Sequence, residues 1–331
     1  MDKNSTIAEL TNAFNIKVNA LKQQLTNNIN AINNSKANIK EKNNAIHALI
    51  VSYNNAINKL KIKLASDIKA IQTLTKINKN ALLIGINYRG TSNELYGCIN
   101  DTNNVKNLLD QFGYNKYVFL TDDTNKKPTK KNILEALTNL LVNSVSGDTL
   151  FFLYSGHGTC TTDVNKDELD GQDELIVPID AYNISTCILD DELNNIIRKE
   201  LKQGVNLFAL FDSCFSGTVL DLKYNYLDNT NNLNTVINPN VPETSGQVIM
   251  ISGCMDNQTS ADAYVSYNGK NMGAGAMTFS FLKTIQQLGV NITIKTLIES
   301  MRGLLKDNGY EQIPQLSSGK EINIDKMLLP F

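Results

Sequence analysis

The sequence predicts an α/β protein with a mostly parallel sheet and helices on both faces, preceded by a long α-helical arm. Three observations predict it. Residues 1–78 contain neither glycine nor proline, so nothing in them forces a break. From about Asn80 onward, short apolar runs alternate with helical patterns, which implies parallel strands joined by crossover helices. Charge divides at the same place. Up to Lys79 there are 12 lysines against Asp2, Glu9, Glu41 and Asp67, a net +8, so with −2 overall the remainder carries −10. A basic arm over 1–78 and an acidic body over 79–331 follow as two modules.

The arm comes first. Thr6-Ile7-Ala8-Glu9 fits a capping box and starts a helix near residue 5. Val18, Leu25, Ile32, Ile39, Ile46, Tyr53 and Leu60 recur every seven residues, with a weaker second stripe through Phe14, Leu21, Leu49 and Ala56. Unbroken, the helix would be roughly 110 Å long. Such a stripe needs a partner, either a second copy in a coiled coil or a fold-back near Asn33-Asn34-Ser35. The many asparagines leave a partly ordered leader as the alternative. The basic face carries no nucleic-acid or membrane motif, and neither partner is expected.

In the body, Ala81–Ile86 reads as a buried strand, Cys98–Phe112 as a helix closed by Gly113, and Tyr117–Leu120 as a strand. Pro128 opens a helix through Leu141. Leu150–Tyr154 and Leu207–Phe211 are continuous apolar runs, the mark of strands buried on both faces, with a helix over Leu193–Leu201 between them. Val248–Ser252 is another strand, and helices at about 275–288 and 295–307 precede Ile313–Leu316.

The two apolar runs end on chemistry. The first stops at Ser155-Gly156-His157-Gly158, the second at Asp212-Ser213-Cys214-Phe215-Ser216-Gly217. Side by side and parallel, they would bring an imidazole to a thiol, the minimum for a cysteine nucleophile with its acid/base partner. The chain has two histidines, and His47 lies in the arm, so histidine chemistry in the body falls to His157. The glycines on both sides of it speak for close approach of a ligand rather than for a packed core histidine. Of the five cysteines, Cys98 and Cys254 sit in apolar patterns and Cys160 and Cys187 in loop sequence, while Cys214 alone ends a buried strand beside a glycine-containing turn. The odd, scattered set without CxxC spacing excludes a disulfide framework and a zinc site, and points to a reducing cytoplasm. No apolar run approaches membrane-spanning length, and no signal peptide is expected.

Four blocks in one order carry a resemblance: Leu95-Tyr96-Gly97-Cys98-Ile99-Asn100-Asp101, Tyr154–Thr159, Asp212–Gly217, and Ser252–Asp262. Together they resemble the signature blocks of metacaspases, caspase-related cysteine peptidases, in a type I arrangement, from about Asn80 to Leu316. The arm lies outside the resemblance. It implies a caspase-like sheet and a dyad of His157 and Cys214, with the backbone N–H groups of Gly158 and Cys214 as oxyanion hole. It also implies a pocket built on Asp101 and Asp212 and lined by Cys98 and Ser155. Two carboxylates suit a guanidinium or ammonium, so cleavage after Arg or Lys is expected. The simpler role for Asp101 is a helix N-terminal charge.

Calcium is the remaining expectation. Asp163-x-Asn165-x-Asp167 with Glu174 imitates an EF-hand loop, but Glu168 stands where that loop needs glycine, which excludes it. The resemblance instead implies an activating Ca²⁺ site from Asp173, Asp190, Asp191 and Asp221, against a solvated acidic loop as the plain reading. No organic cofactor is expected. Protein or peptide substrates, self-association through the arm, and self-processing at Lys76 or Lys79 complete the expectations. The competing class is an inactive homologue serving as a coiled-coil scaffold, yet no dyad or pocket residue is missing.

Overall fold

A computed structural model describes residues 3–73, 77–162, 171–214, 217–227, 234–253, 262–267 and 270–327. Lys76, the EF-hand-like residues 163–168, Phe215, Ser216 and residues 254–261, Cys254 among them, lie outside the described residues. The chain divides into two compact units, Met1–Lys76 and Ile77–Phe331.

The first unit is a hairpin of α1 (Lys3–Asn33) and α2 (Ile39–Thr73). The expected fold-back is there, and Asn38 explains how the chain restarts. Its side chain accepts from the Glu41 N–H at 3.0 Å, while the Glu41 carboxylate accepts from the Asn38 N–H at 3.2 Å, a reciprocal capping box. The turn also resets the apolar phase, so Ile39, placed on the stripe by a strict seven-residue count, is 79% exposed. The stripe that meets across the hairpin runs through Leu10, Phe14, Val18, Leu21 and Leu25 in α1, and all of these are half-buried.

In the second unit the body elements are, in order, β1 (Lys79–Gly85), α3 (Cys98–Gln111), β2 (Lys116–Thr121), α4 (Lys130–Val142), β3 (Thr149–Ser155), β4 (Gly158–Thr162), β5 (Gln172–Ile176), β6 (Ile188–Leu189), α5 (Asp190–Glu200), β7 (Asn206–Asp212), β8 (Tyr224–Leu227), β9 (Asn234–Ile237), β10 (Gln247–Ser252), β11 (Asp262–Tyr267), β12 (Lys270–Gly275), α6 (Ala276–Leu288), α7 (Ile294–Asp307) and β13 (Gln315–Ser318). The main sheet runs β2-β1-β3-β7-β10-β13-β8-β9. Its first five strands are parallel and its last three pairings antiparallel. β4-β5-β6 and β11-β12 form two small sheets.

Both faces of the central strands are buried, which is why their sequences do not alternate. Phe152, Ala209 and Phe211 pack with Ile133 and Leu137 of α4 and Leu193 of α5. On the other face Phe151, Phe208 and Ile249 pack with Val105 of α3, Phe281 of α6 and Leu297 of α7. Phe151 and Phe208 are register partners and stack at 5.5 Å, binding β3 to β7 below the site. Such a pair adds about 0.5–1.5 kcal/mol beyond the area it buries.

Candidate active site

β3 and β7 are parallel neighbours, and the register pairs Ser155 with Asp212. The segments that follow, Gly156-His157-Gly158 and Ser213-Cys214, therefore leave the sheet side by side. The Gly156 N–H donates to the Asp212 carbonyl at 3.3 Å, which carries the pairing one residue beyond β3. His157 and Cys214 are both half-buried, open enough to meet a substrate. Gly158 lies against Cys214: a Cβ at Gly158 would run into the Cys214 carbonyl oxygen. Gly158 pairs with Ile176 of β5, and the direct bond from the Val177 N–H to the His157 carbonyl sets the ladder's phase. By the alternation of an antiparallel ladder, the Gly158 N–H then points away from β5 and is not used in pairing.

The imidazole is held from the loop after β1. His157 Nε2 is 2.7 Å from the Asn93 carbonyl, and because a carbonyl only accepts, Nε2 carries the hydrogen. The other nitrogen, Nδ1, is left to exchange a proton. Sequence reasoning missed Asn93, and no signal could have found it, since a backbone carbonyl has no residue signature. Tyr88, from the same loop, lies with its ring 4.6 Å from the imidazole. Of the rival thiols, Cys98 begins α3 and is buried, Cys187 is buried with its thiol pushed up by desolvation, and Cys160 lies in β4 rather than in a loop.

The expected pocket residues converge on Gly275. Asp101, Ser155 and Asp212 are 0%, 1% and 4% exposed. Ser155 Oγ donates to Asp101 Oδ2 at 2.7 Å, and the Gly275 N–H donates to the same oxygen at 3.0 Å. The Thr278 N–H, in the first turn of α6, donates to Asp212 Oδ2 at 2.7 Å. A Cβ at Gly275 would collide with Asp212 and come 3.0 Å from Asp101 Oδ2, so both carboxylates crowd the Gly275 backbone and leave no room for a side chain there. Asp101 does lie in the first turn of α3, and Asp212 stands at the N-terminus of α6, so both helix ends help to carry buried charge. Two carboxylates this close are costly to ionise together without a cation between them.

The acidic residues gather differently from expectation. Asp190 and Asp221 stand together, but their companion is Glu174, with carboxylate oxygens of all three within 4.8 Å of one another. Asp173 and Asp191 are not in that group. Asp173 and Glu174 are neighbours on β5, and neighbours on a strand point to opposite faces. Asp191 is one step along α5, roughly 100° round the helix from Asp190. Asp190 accepts from the Glu174 N–H at 2.6 Å and from the Asp191 N–H at 2.7 Å, Thr218 donates to Glu174 at 2.6 Å, and Asp221 is held at φ +41°. Three carboxylates without sulfur or imidazole are donors for a hard cation, so the residues present fit Ca²⁺. Lys79, expected at an exposed junction, is instead the first residue of β1 and pairs with Thr149, while its Nζ donates to the Phe112 carbonyl at 2.8 Å. Backbone inside a strand paired on both sides is not available to a peptidase cleft.

The family described as Metacaspase, peptidase C14 domain, matches residues 79–223. The Metacaspase-1 of Meyerozyma guilliermondii is 37% identical over 298 residues, covering 74% of this chain and 71% of that protein. The Metacaspase-1 of Kluyveromyces lactis is 39% identical over 302 residues, covering 76% and 68%. A solved Geobacter sulfurreducens protein shares the fold, with a TM-score of 0.54 and 21% identity over 74% of this chain and 95% of that one. None of the helices among the described residues is long and apolar enough to cross a membrane. With the dyad strands paired in register and relatives of this similarity covering most of its length, the chain belongs to the metacaspase family of cysteine peptidases.

Proposed function

We propose that this protein is a calcium-activated cytoplasmic endopeptidase that cuts after arginine or lysine and processes itself. Cys214 thiolate attacks the carbonyl carbon of the scissile bond. The C–N bond breaks as His157 delivers a proton to the departing amine, leaving a thioester on Cys214. His157 then takes a proton from water, which attacks the thioester and restores the thiol. The N–H groups of Gly158 and Cys214 receive the oxyanion, each such donor contributing about 3 kcal/mol. The Asn93 carbonyl keeps Nε2 protonated throughout, so the proton exchange runs through Nδ1.

The observation that carries the specificity is the convergence of Asp101 and Asp212 on Gly275. A buried carboxylate pair attracts a cationic side chain and repels aspartate. Calcium would be held by Glu174, Asp190 and Asp221 and would supply the positive charge that these three acids call for. Self-association is supported by the arm, whose apolar stripe is nowhere fully buried among residues 7–69. Self-processing rests on Lys76 alone, since Lys79 is built into the sheet. The test is hydrolysis of fluorogenic peptides ending in Arg, Lys, Asn or Asp, with calcium or with chelator. Arg and Lys peptides should be cut, and only with calcium. Preference for Asp or Asn peptides would overturn the specificity, and full rates in chelator would remove calcium.

A further inference from the structure

We propose that the Tyr88 hydroxyl is the positioning group of the catalytic histidine, inserted into a strand ladder in place of one of its hydrogen bonds. The inference rests on the reading of His157 as the acid/base residue.

The ladder between β4 and β5 supplies the first observation. One step before the Gly158–Ile176 pair, His157 stands opposite Val177. Residues at such a position in a regular antiparallel ladder exchange two N–H···O bonds. One is made directly, from the Val177 N–H to the His157 carbonyl at 3.1 Å. The return bond is not. The His157 N–H donates to the Tyr88 hydroxyl at 2.9 Å, and that hydroxyl donates to the Val177 carbonyl at 2.6 Å. The phenol oxygen thus bridges the two strands at the residue that performs the chemistry.

A second phenol completes the clamp. Tyr154 donates to the His157 carbonyl at 2.7 Å and accepts from the Val177 N–H at 3.1 Å, with its oxygen 3.2 Å from that of Tyr88. Both backbone groups of His157 are therefore fixed by tyrosine hydroxyls. Gly156 fits this account, because a Cβ there would stand 2.9 Å from one phenol oxygen and 3.0 Å from the other. Burial raises the pKa of both phenols well above the ordinary tyrosine value, so they stay protonated and keep donating.

The loop that presents Tyr88 is held under strain. Tyr88 has φ +49°, a left-handed conformation unfavourable for a bulky residue. The Asp122 carboxylate pins it from both sides, accepting from the Asn87 N–H at 2.7 Å and the Arg89 N–H at 3.1 Å. Strain kept in place by surrounding structure is found where geometry matters to function. A tyrosine that merely filled the core would need neither the conformation nor the hydroxyl. The titratable groups around the clamp are Tyr88, Tyr154, Cys98, Cys187 and His157.

The experiment uses the full-length enzyme and Tyr88→Phe, which keeps the ring and loses the bridge. Three quantities are read: kcat and KM on an Arg peptide, the pH profile of Cys214 alkylation by iodoacetamide, and the ¹⁵N imidazole signals. The chain has only two histidines, so a His47→Gln background isolates His157. The expected result is a kcat lower by about ten- to a hundredfold with KM within about twofold, as for a displaced catalytic group. The alkylation midpoint should move to higher pH, and the His157 nitrogens should lose their single-tautomer signature. An unchanged kcat, or a fall matched by fewer reactive Cys214 groups at an unmoved pH profile, overturns the proposal. If Tyr88→Phe does not fold, Asp122→Asn loosens the same loop: a shift in the same direction supports the proposal and an unmoved profile overturns it. The imidazole spectra need no turnover, so they separate failure of this inference from failure of the catalytic reading.

Discussion

Gly158 and Cys214 touch through their backbones, closely enough that no side chain fits between the residue after the histidine and the carbonyl of the cysteine. Gly158→Ala should therefore push the two strand ends apart while leaving the buried core of β3 and β7 alone. Displacement of the residue-158 N–H from its place as an oxyanion donor predicts a kcat lower by about a hundredfold. Active-site titration and kcat on an Arg peptide check this; an alanine enzyme of full activity would remove Gly158 from the oxyanion hole.

The acid pair makes a sharper prediction about substrate choice. Asp101→Asn and Asp212→Asn should each weaken Arg and Lys peptides by about 2–5 kcal/mol in kcat/KM, because the substrate cation loses a buried countercharge. Gly275→Ala should do the same from the other side by driving a methyl into Asp212. Reaction of Cys214 with a small electrophile should survive in all three. Equal losses in alkylation and peptide cleavage would mean a general collapse of the site instead.

For calcium, the grouping of Glu174 with Asp190 and Asp221 predicts that Glu174→Gln raises the half-activating concentration by about tenfold or more, since affinity follows ligand charge. Asp173→Asn should do far less. Calcium-dependent rise of the melting temperature gives a readout independent of turnover. Similar effects of the two substitutions would return Asp173 to the ligand set.

The arm predicts an association. Its stripe is half-buried in the hairpin and would be covered by a second copy, so full-length Cys214→Ala should sediment as a dimer or larger, and a protein beginning at Ile77 as a monomer. A monomeric full-length protein at tens of micromolar would mean that the hairpin stands alone.

What can be read from the sequence, and what cannot, follows from how local each signal is. Leu150–Tyr154 and Leu207–Phe211 announce buried parallel strands because burial on both faces leaves an unbroken apolar run. Gly158–Thr162, which becomes β4, has no such run: its pairing is decided by Gln172–Ile176 opposite, and the sequence offers no apolar pattern to show it. The fold-back of the arm is legible in its asparagines, but the phase of α2 is not, because the turn and the Asn38 cap reset it. The side-by-side placement of His157 and Cys214 is legible from two strand endings. Asn93, Tyr88 and Glu174 are not, since each acts through a backbone group, a ladder position or a neighbour distant in the chain.

The central claim is that Cys214 and His157 form the working pair, and hydrolysis of an Arg peptide by Cys214→Ala and His157→Ala, each shown to be folded by its melting curve, tests it most directly. The account predicts no turnover above background for either protein, with Cys214 of His157→Ala still present but slow to alkylate. Turnover retained in folded Cys214→Ala, with contaminating peptidase excluded, would contradict it.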